Sequence, residues 1–196
     1  SLVFSDAFLA AFPALVFGDR GAVANLSTGQ ATDEFGDTDT ISGFENLIGS
    51  TFGDILTGDD GDNRLVGDAG DDALFGLAGD DRLEGGPGDD TLDGGAGDDY
   101  AAYYDAEGPV IVDLSQGLAE DGGDGGRDVL IGIEKIFGSF FDDVLTGDDA
   151  DNMFTALGGD DVIDGGAGID GVYYGNSGAP VTVDLEAGTA SGGEGN

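Results

Sequence analysis

The chain has no histidine, no cysteine and no tryptophan, one methionine, four prolines and only five lysines or arginines among 196 residues. Each shortage removes a class of chemistry. Without His or Cys there is no Ser-His-Asp or Cys-His triad, no nitrogen or sulfur zinc site and no disulfide. Five cations against 42 Asp and Glu leave a net charge of -37. That field repels phosphate backbones and anionic headgroups, so nucleic acid is not an expected partner and membrane insertion is not expected. Cations are. Glycine, by contrast, is abundant at 40 residues, and it loses the most backbone entropy on folding while burying no side chain. Such a composition suits a disordered polyanion and a folded cation binder equally.

The order of the residues separates the two, because the chain repeats with a period of nine. From Gly49 it reads GSTFGDILT, GDDGDNRLV, GDAGDDALF, GLAGDDRLE, GGPGDDTLD and GGAGDDYAA, ending at Ala102. From Gly138 it reads GSFFDDVLT, GDDADNMFT, ALGGDDVID and GGAGIDGVY, ending at Tyr173. The sixth place holds Asp54, Asn63, Asp72, Asp81, Asp90, Asp99, Asp143, Asn152, Asp161 and Asp170. The eighth holds Leu56, Leu65, Leu74, Leu83, Leu92, Ala101, Leu145, Phe154, Ile163 and Val172.

A longer repeat encloses the nonapeptides. AVANLSTGQA from Ala22 recurs as VIVDLSQGLA from Val110 and VTVDLEAGTA from Val181, and ISGFENLIGS from Ile41 recurs as LIGIEKIFGS from Leu130. Aromatic steps follow the blocks at Tyr103-Tyr104 and Tyr173-Tyr174, with Phe17 as a counterpart ahead of the first unit. The expected organisation is the end of a preceding unit or a cap over 1–20, and a first unit over 21–104 with its repeat block at 49–102. A second unit follows over 105–177, with its block at 138–173, and then the start of a third over 178–196. The chain reads as part of a longer array. The apolar opening has no basic n-region, contains Asp6 and Pro13, and is too short to span a bilayer, so it reads as a unit tail or cap rather than a signal peptide. Asn25-Leu26-Ser27 spells a glycosylation acceptor, but Asp113 and Asp184 stand at the aligned places and the match reads as chance.

Glycines at the first, second and fourth places make a turn of the first six residues and leave three for a strand. Alternation then sends the eighth-place side chain inward and its neighbours outward. Two nonapeptides would form one coil with two short parallel strands, and stacked coils would place the turn of repeat n beside that of repeat n+2. One inward side chain per nine residues is a thin core. The stacked carboxylates oppose it further: two unit charges ~6 Å apart repel by roughly 3 kcal/mol at an effective dielectric of 20. A positive ion between the turns resolves both problems. Carboxylates and backbone carbonyls without nitrogen or sulfur are hard-cation ligands, and the flexible geometry suits Ca²⁺ better than the tight octahedron of Mg²⁺.

These copies, GGPGDDTLD and GGAGDDYAA most closely, resemble the GGxGxDxUx nonapeptide of the RTX (repeats-in-toxin, haemolysin-type) calcium-binding proteins. The resemblance implies an all-β, right-handed parallel β-roll or β-helix, a solenoid, and export through a type 1 secretion machinery. It also implies calcium held by the sixth-place residues named above and by carbonyls of early turn residues. On this sequence those are Gly67, Gly76, Ala78, Gly85, Pro87, Gly94, Ala96, Gly165 and Ala167. Pairing n with n+2 anticipates roughly six ions with affinities of ~10⁻⁴ to 10⁻³ M each, which would leave the loaded chain near -25.

Several departures qualify the pattern. Asn63 and Asn152 should make weaker sites. Asp59, Asp68 and Asp148 replace the second glycine, where solvation and local hydrogen bonding are the expected roles. Ala156-Leu157 is expected to break a turn start, and the GSTFGD and GSFFDD copies look like edge turns. Lys135 and Arg127 read as surface residues balancing local charge, and outward Phe75, Phe137, Phe140 and Tyr104 as rim packing. No carboxylate pair stands apart as an acid and base, so the chain reads as a non-catalytic, secreted, calcium-folded module. The alternatives are a self-assembling adhesin, surface-layer or filament segment that stacks on neighbouring repeats, and an accessory module of a polysaccharide-modifying or proteolytic enzyme.

Overall fold

A computed structural model describes residues 14–16, 21–32, 36–121, 126–175, 181–184 and 189–192. Among them there is no helix; every element is a strand of two to six residues joined by turns. Phe17 and the segment before Ala14 lie outside the described residues.

Two sheets form the walls of a β-roll. The first runs, in spatial order, Ala14–Val16, Asn46–Ile48, Arg64–Val66, Arg82–Glu84, Tyr100–Ala102, Lys135–Phe137, Met153–Thr155 and Gly171–Val172. All of its pairs are parallel. The second contains Ile55–Thr57, Ala73–Ala78 and Thr91–Ala96 from the first block, and Val144–Thr146 and Val162–Asp164 from the second. Within each block, parallel partners are separated by 18 residues, as in Leu56↔Leu74↔Leu92 and Leu65↔Leu83↔Ala101, so two nonapeptides make one coil.

The two blocks belong to one continuous roll. Lys135–Phe137 pairs in parallel with Tyr100–Ala102 on one side and with Met153–Thr155 on the other. In the second sheet the join is longer. Arg127–Ile131 stacks in parallel on Thr91–Ala96, then pairs antiparallel with Leu118–Asp121. That strand pairs antiparallel with Val110–Asp113, which stacks in parallel on Val144–Thr146. Val23–Asn25, Gln30–Thr32 and Thr38–Thr40 repeat this antiparallel arrangement beside Ile55–Thr57. Val181–Asp184 and Thr189–Gly192 form a separate antiparallel pair.

The interior is a ladder of eighth-place side chains. Leu56, Leu65, Leu74, Leu83, Leu92, Ala101, Leu145 and Phe154 are fully buried, and Leu47, Val110, Val112, Ala119, Leu130 and Ile136 carry the ladder through the intervening segments. Ile163 is partly buried and Val172 exposed, because among the described residues no coil stacks beyond theirs.

Two details differ from expectation. Ala73–Ala78 and Thr91–Ala96 extend for six residues rather than three. Stacked turns of the same shape keep their backbones in register, so ladder pairing continues at Leu77↔Gly95 and Ala78↔Ala96. Nor does Ala156-Leu157 break its turn: Leu157 adopts φ +70°, the left-handed conformation that Gly86 has at the same place of its repeat.

Candidate metal centres

The stacking buries the sixth-place residues along with the leucines. Asp54, Asn63, Asp72, Asp81, Asp90, Asp99, Asp143 and Asn152 are all buried, Asp161 half-buried and Asp170 exposed. One oxygen of each later residue accepts the backbone N–H of the sixth-place residue one coil earlier. Asp54 N–H donates to Asp72 Oδ1 (2.7 Å), Asn63 to Asp81 (2.7 Å), Asp72 to Asp90 (2.8 Å) and Asp81 to Asp99 (2.7 Å). Asp143 donates to Asp161 (3.0 Å) and Asn152 to Asp170 (2.9 Å). The structure thus brings the predicted carboxylates into two columns, one along each edge of the roll.

What happens to the remaining side-chain oxygen depends on the second residue of the turn. In the first two repeats of each block that residue donates its N–H to the sixth place. The donors are Ser50 to Asp54 Oδ2 (2.5 Å), Asp59 to Asn63 Oδ1 (2.7 Å), Ser139 to Asp143 Oδ2 (2.7 Å) and Asp148 to Asn152 Oδ1 (2.9 Å). The Ser50 and Ser139 hydroxyls add bonds to Asp54 and Asp143 at 3.1 and 2.6 Å. These turns are closed on themselves. In the other six repeats the second residue, Asp68, Leu77, Gly86, Gly95, Leu157 or Gly166, has φ between +70° and +97°. Among these open turns, Asp72, Asp81, Asp90 and Asp99 each retain a buried Oδ2 that accepts no hydrogen bond.

The orphaned oxygens of Asp72 and Asp81 each share their space with a carbonyl. A Cβ placed on Gly67 would lie 2.1 Å from Asp72 Oδ2 and 2.6 Å from the Gly85 carbonyl oxygen. One on Gly76 would lie 2.2 Å from Asp81 Oδ2 and 2.5 Å from the Gly94 carbonyl oxygen. Only glycine leaves these cradles open. The Gly67, Gly76 and Gly165 carbonyls approach Asp54 Oδ2, Asn63 Oδ1 and Asn152 Oδ1 in the same way, but at turns already closed by N–H donors. The third-place carbonyls of Pro87 and Ala96 instead accept the N–H groups of Gly70 and Gly79, and Ala167 donates its N–H to the Asp148 carbonyl. Ala78 ends the strand Ala73–Ala78, opposite Ala96.

Burial, with neighbouring carboxylates adding to it, pushes Asp72 up to about 7, Asp90 to about 8, and Asp81 and Asp161 to about 6. Arg64, Arg82 and Lys135 are engaged elsewhere. Arg64 pairs with Glu84 at 2.9 Å and donates to Tyr104 Oη at 3.1 Å, and Arg82 sits over the Tyr104 and Phe137 rings. Lys135 pairs with Asp98 at 3.3 Å and lies over Tyr100. Among the described residues no group of three or more carboxylates converges. The donor set is one buried carboxylate oxygen and a backbone carbonyl per cradle, all oxygen, which fits a hard divalent cation.

Four copies of the model of the RTX calcium-binding nonapeptide repeat match the chain, at residues 39–74, 48–83, 66–101 and 137–172, together half of its length. The chain belongs to this family. It is a calcium-binding RTX β-roll. No curated protein matches it.

Two sets of RTX residues escaped the sequence reading. Ser50 and Ser139 close their turns, and the signal was a serine at the second place of both block-opening copies. The fifth-place aspartates form a further ladder on the exposed rim, running in the opposite sense. Asp62 Oδ1 accepts from the Asp80 N–H (3.0 Å), Asp71 from Asp89 (3.1 Å), Asp80 from Asp98 (3.1 Å) and Asp142 from Asp160 (2.8 Å). The repeated Asp-Asp pairs were that signal.

Proposed function

We propose that this chain is a non-catalytic segment of a secreted protein that is unfolded where calcium is scarce and folds as it loads calcium outside the cell. The observation that supports this is the set of four buried carboxylates, Asp72 and Asp90 in one column and Asp81 and Asp99 in the other, each with an oxygen that no protein donor satisfies. A buried unpaired charge is strongly unfavourable until a counter-ion arrives. Calcium would sit at the open turns, held by those aspartates and the Gly85 and Gly94 carbonyls, with Asp161 and Asp170 holding it more weakly at the exposed end. At Asp54, Asn63, Asp143 and Asn152 the amide donors supply part of what an ion would, so those sites bind weakest. Circular dichroism across a calcium titration tests the reading. A β spectrum and a cooperative melt that are the same in EDTA and in millimolar calcium would overturn it.

A second reading, lateral self-association, is favoured by the outer face of the second sheet, where Val23, Ile55, Val129, Ile111, Val144 and Val162 are exposed. Sedimentation as a monomer in saturating calcium removes it.

A further inference from the structure

The segment joining the two blocks carries no nonapeptide, and residues 102–136 lie outside the matched stretches. Its turn nevertheless continues both ladders of one edge of the roll. The sixth-place ladder runs from Asn63 to Asp81 to Asp99, and the N–H of Asp99 then donates to Glu134 Oε2 at 3.0 Å. Glu134 therefore occupies the place that the next sixth-place aspartate would take. The first-place ladder continues too. A Cβ on Gly94 would lie 2.3 Å from the Gly132 carbonyl oxygen and 2.6 Å from Asp99 Oδ2, just as one on Gly76 meets the Gly94 carbonyl and Asp81 Oδ2.

A nonapeptide places four residues between its first and sixth positions, whereas only Ile133 separates Gly132 from Glu134. Two features compensate for the shorter turn. Gly132 takes φ +58°, reversing the chain at once, and Ile133 is buried, anchoring the turn to the core. Glutamate supplies one methylene more than aspartate, so its carboxylate reaches back to the Asp99 amide from the shortened backbone. Asp99 itself is fully buried and its Oδ2 accepts no hydrogen bond. At the opposite edge, Asp128 Oδ1 accepts the Asp90 N–H, and its other oxygen accepts the Tyr103 hydroxyl at 2.9 Å. There the joining segment brings a neutral donor to its own carboxylate. At the Glu134 edge it brings a second carboxylate and a carbonyl up to an orphaned one.

We infer that the junction holds a divalent cation of its own, calcium in a calcium-loaded roll, bound by Asp99 Oδ2, the Gly132 carbonyl and the Glu134 carboxylate. The inference rests on the calcium reading above and extends it beyond the nonapeptides. Because Lys135–Phe137 pairs with strands of both blocks, an ion beside Glu134 fastens the second block to the first. The same Gly-x-Glu triplet stands at Gly43-Phe44-Glu45 in the first unit, with Gly43 also at positive φ (+74°).

Equilibrium dialysis in saturating calcium, on the whole chain and on its Glu134→Gln variant, counts the ions bound. Glutamine keeps an oxygen to accept the Asp99 amide but lacks the charge. The variant is expected to bind one ion fewer than the parent while keeping its β-sheet dichroism. Equal stoichiometry overturns the junction site and leaves the calcium reading intact; a parent chain that binds no calcium overturns that reading itself. Should the variant not fold, anomalous difference density in crystals of the parent chain grown with calcium decides. A peak among Asp99, Gly132 and Glu134 supports the site, and a peak beside Asp81 with none at the junction overturns it.

Discussion

The backbone N–H of Asp72 donates to Asp90 Oδ1 over 2.8 Å across one full coil, while Asp90 Oδ2, equally buried, accepts nothing. One carboxylate thus clips two coils together with one oxygen and exposes the roll to an electrostatic penalty with the other. Under the function proposed above, this pairing is what would couple stacking to cation binding.

Open and closed turns are expected to respond differently to the same change. Asp90→Asn keeps the Oδ1 acceptor and removes the charge, so the calcium midpoint should rise roughly tenfold, about 1.4 kcal/mol. Asp143 accepts from Val110, the Ser139 amide and the Ser139 hydroxyl. Asp143→Asn places an NH₂ against those donors and should cost about 1 to 3 kcal/mol at every calcium concentration. Calcium-dependent melts of both variants distinguish the two effects.

Acid should substitute for calcium. Burial raises Asp72 to about 7 and Asp90 to about 8, with Asp54, Asp68 and Asp71 crowding the first and Asp128, Asp72 and Asp71 the second. The folded, metal-free chain therefore binds protons more tightly than the unfolded one. Their contribution to stability is complete below about 4 and is lost progressively as pH rises from there through about 7 and 8. Thermal melts in calcium-free buffer should show higher stability at pH 5 than at pH 8.5. Calcium binding should release protons near neutrality, and a calorimetric titration that shows no dependence on buffer ionisation would contradict this.

Leu83 is fully buried in the ladder, between Leu65 and Ala101. Leu83→Ala should lower the stability of the calcium-loaded roll by about 2 to 5 kcal/mol. Val162 faces outward with 62% of its surface exposed, and Val162→Ala should stay within about 0.5 kcal/mol. Denaturant unfolding in saturating calcium measures both.

Leu77 holds φ +81° at the second place of its turn and is 41% exposed. A left-handed backbone costs a non-glycine residue about 1 kcal/mol or more. Leu77→Gly should therefore stabilise the loaded roll, by about 1 kcal/mol at most because glycine also loses more entropy on folding. A melting temperature that falls in the variant would show that the Leu77 side chain contributes packing that outweighs the strain.

The nine-residue period by itself determined the strands, the parallel register and the inward column from Leu56 to Phe154, because identical turns stacked by translation can pair in only one register. It also determined which carboxylates face one another, since Asp72 and Asp90 differ by two periods. Only the tertiary structure decided which of their oxygens remain unsatisfied. That depends on the backbone angle of one turn residue, left-handed at Leu77 and N–H-donating at Ser50, a choice that composition at the second place does not dictate: Asp68 is left-handed and Asp59 is not. The junction, too, was out of reach of the period. Glu134 and Asp128 take ladder positions from a segment with no nonapeptide, and Arg64 meets Glu84 and Tyr104 across 20 and 40 residues of chain. A translational repeat specifies what recurs; the contacts that end, join and neutralise the array occur once and depend on how distant segments pack.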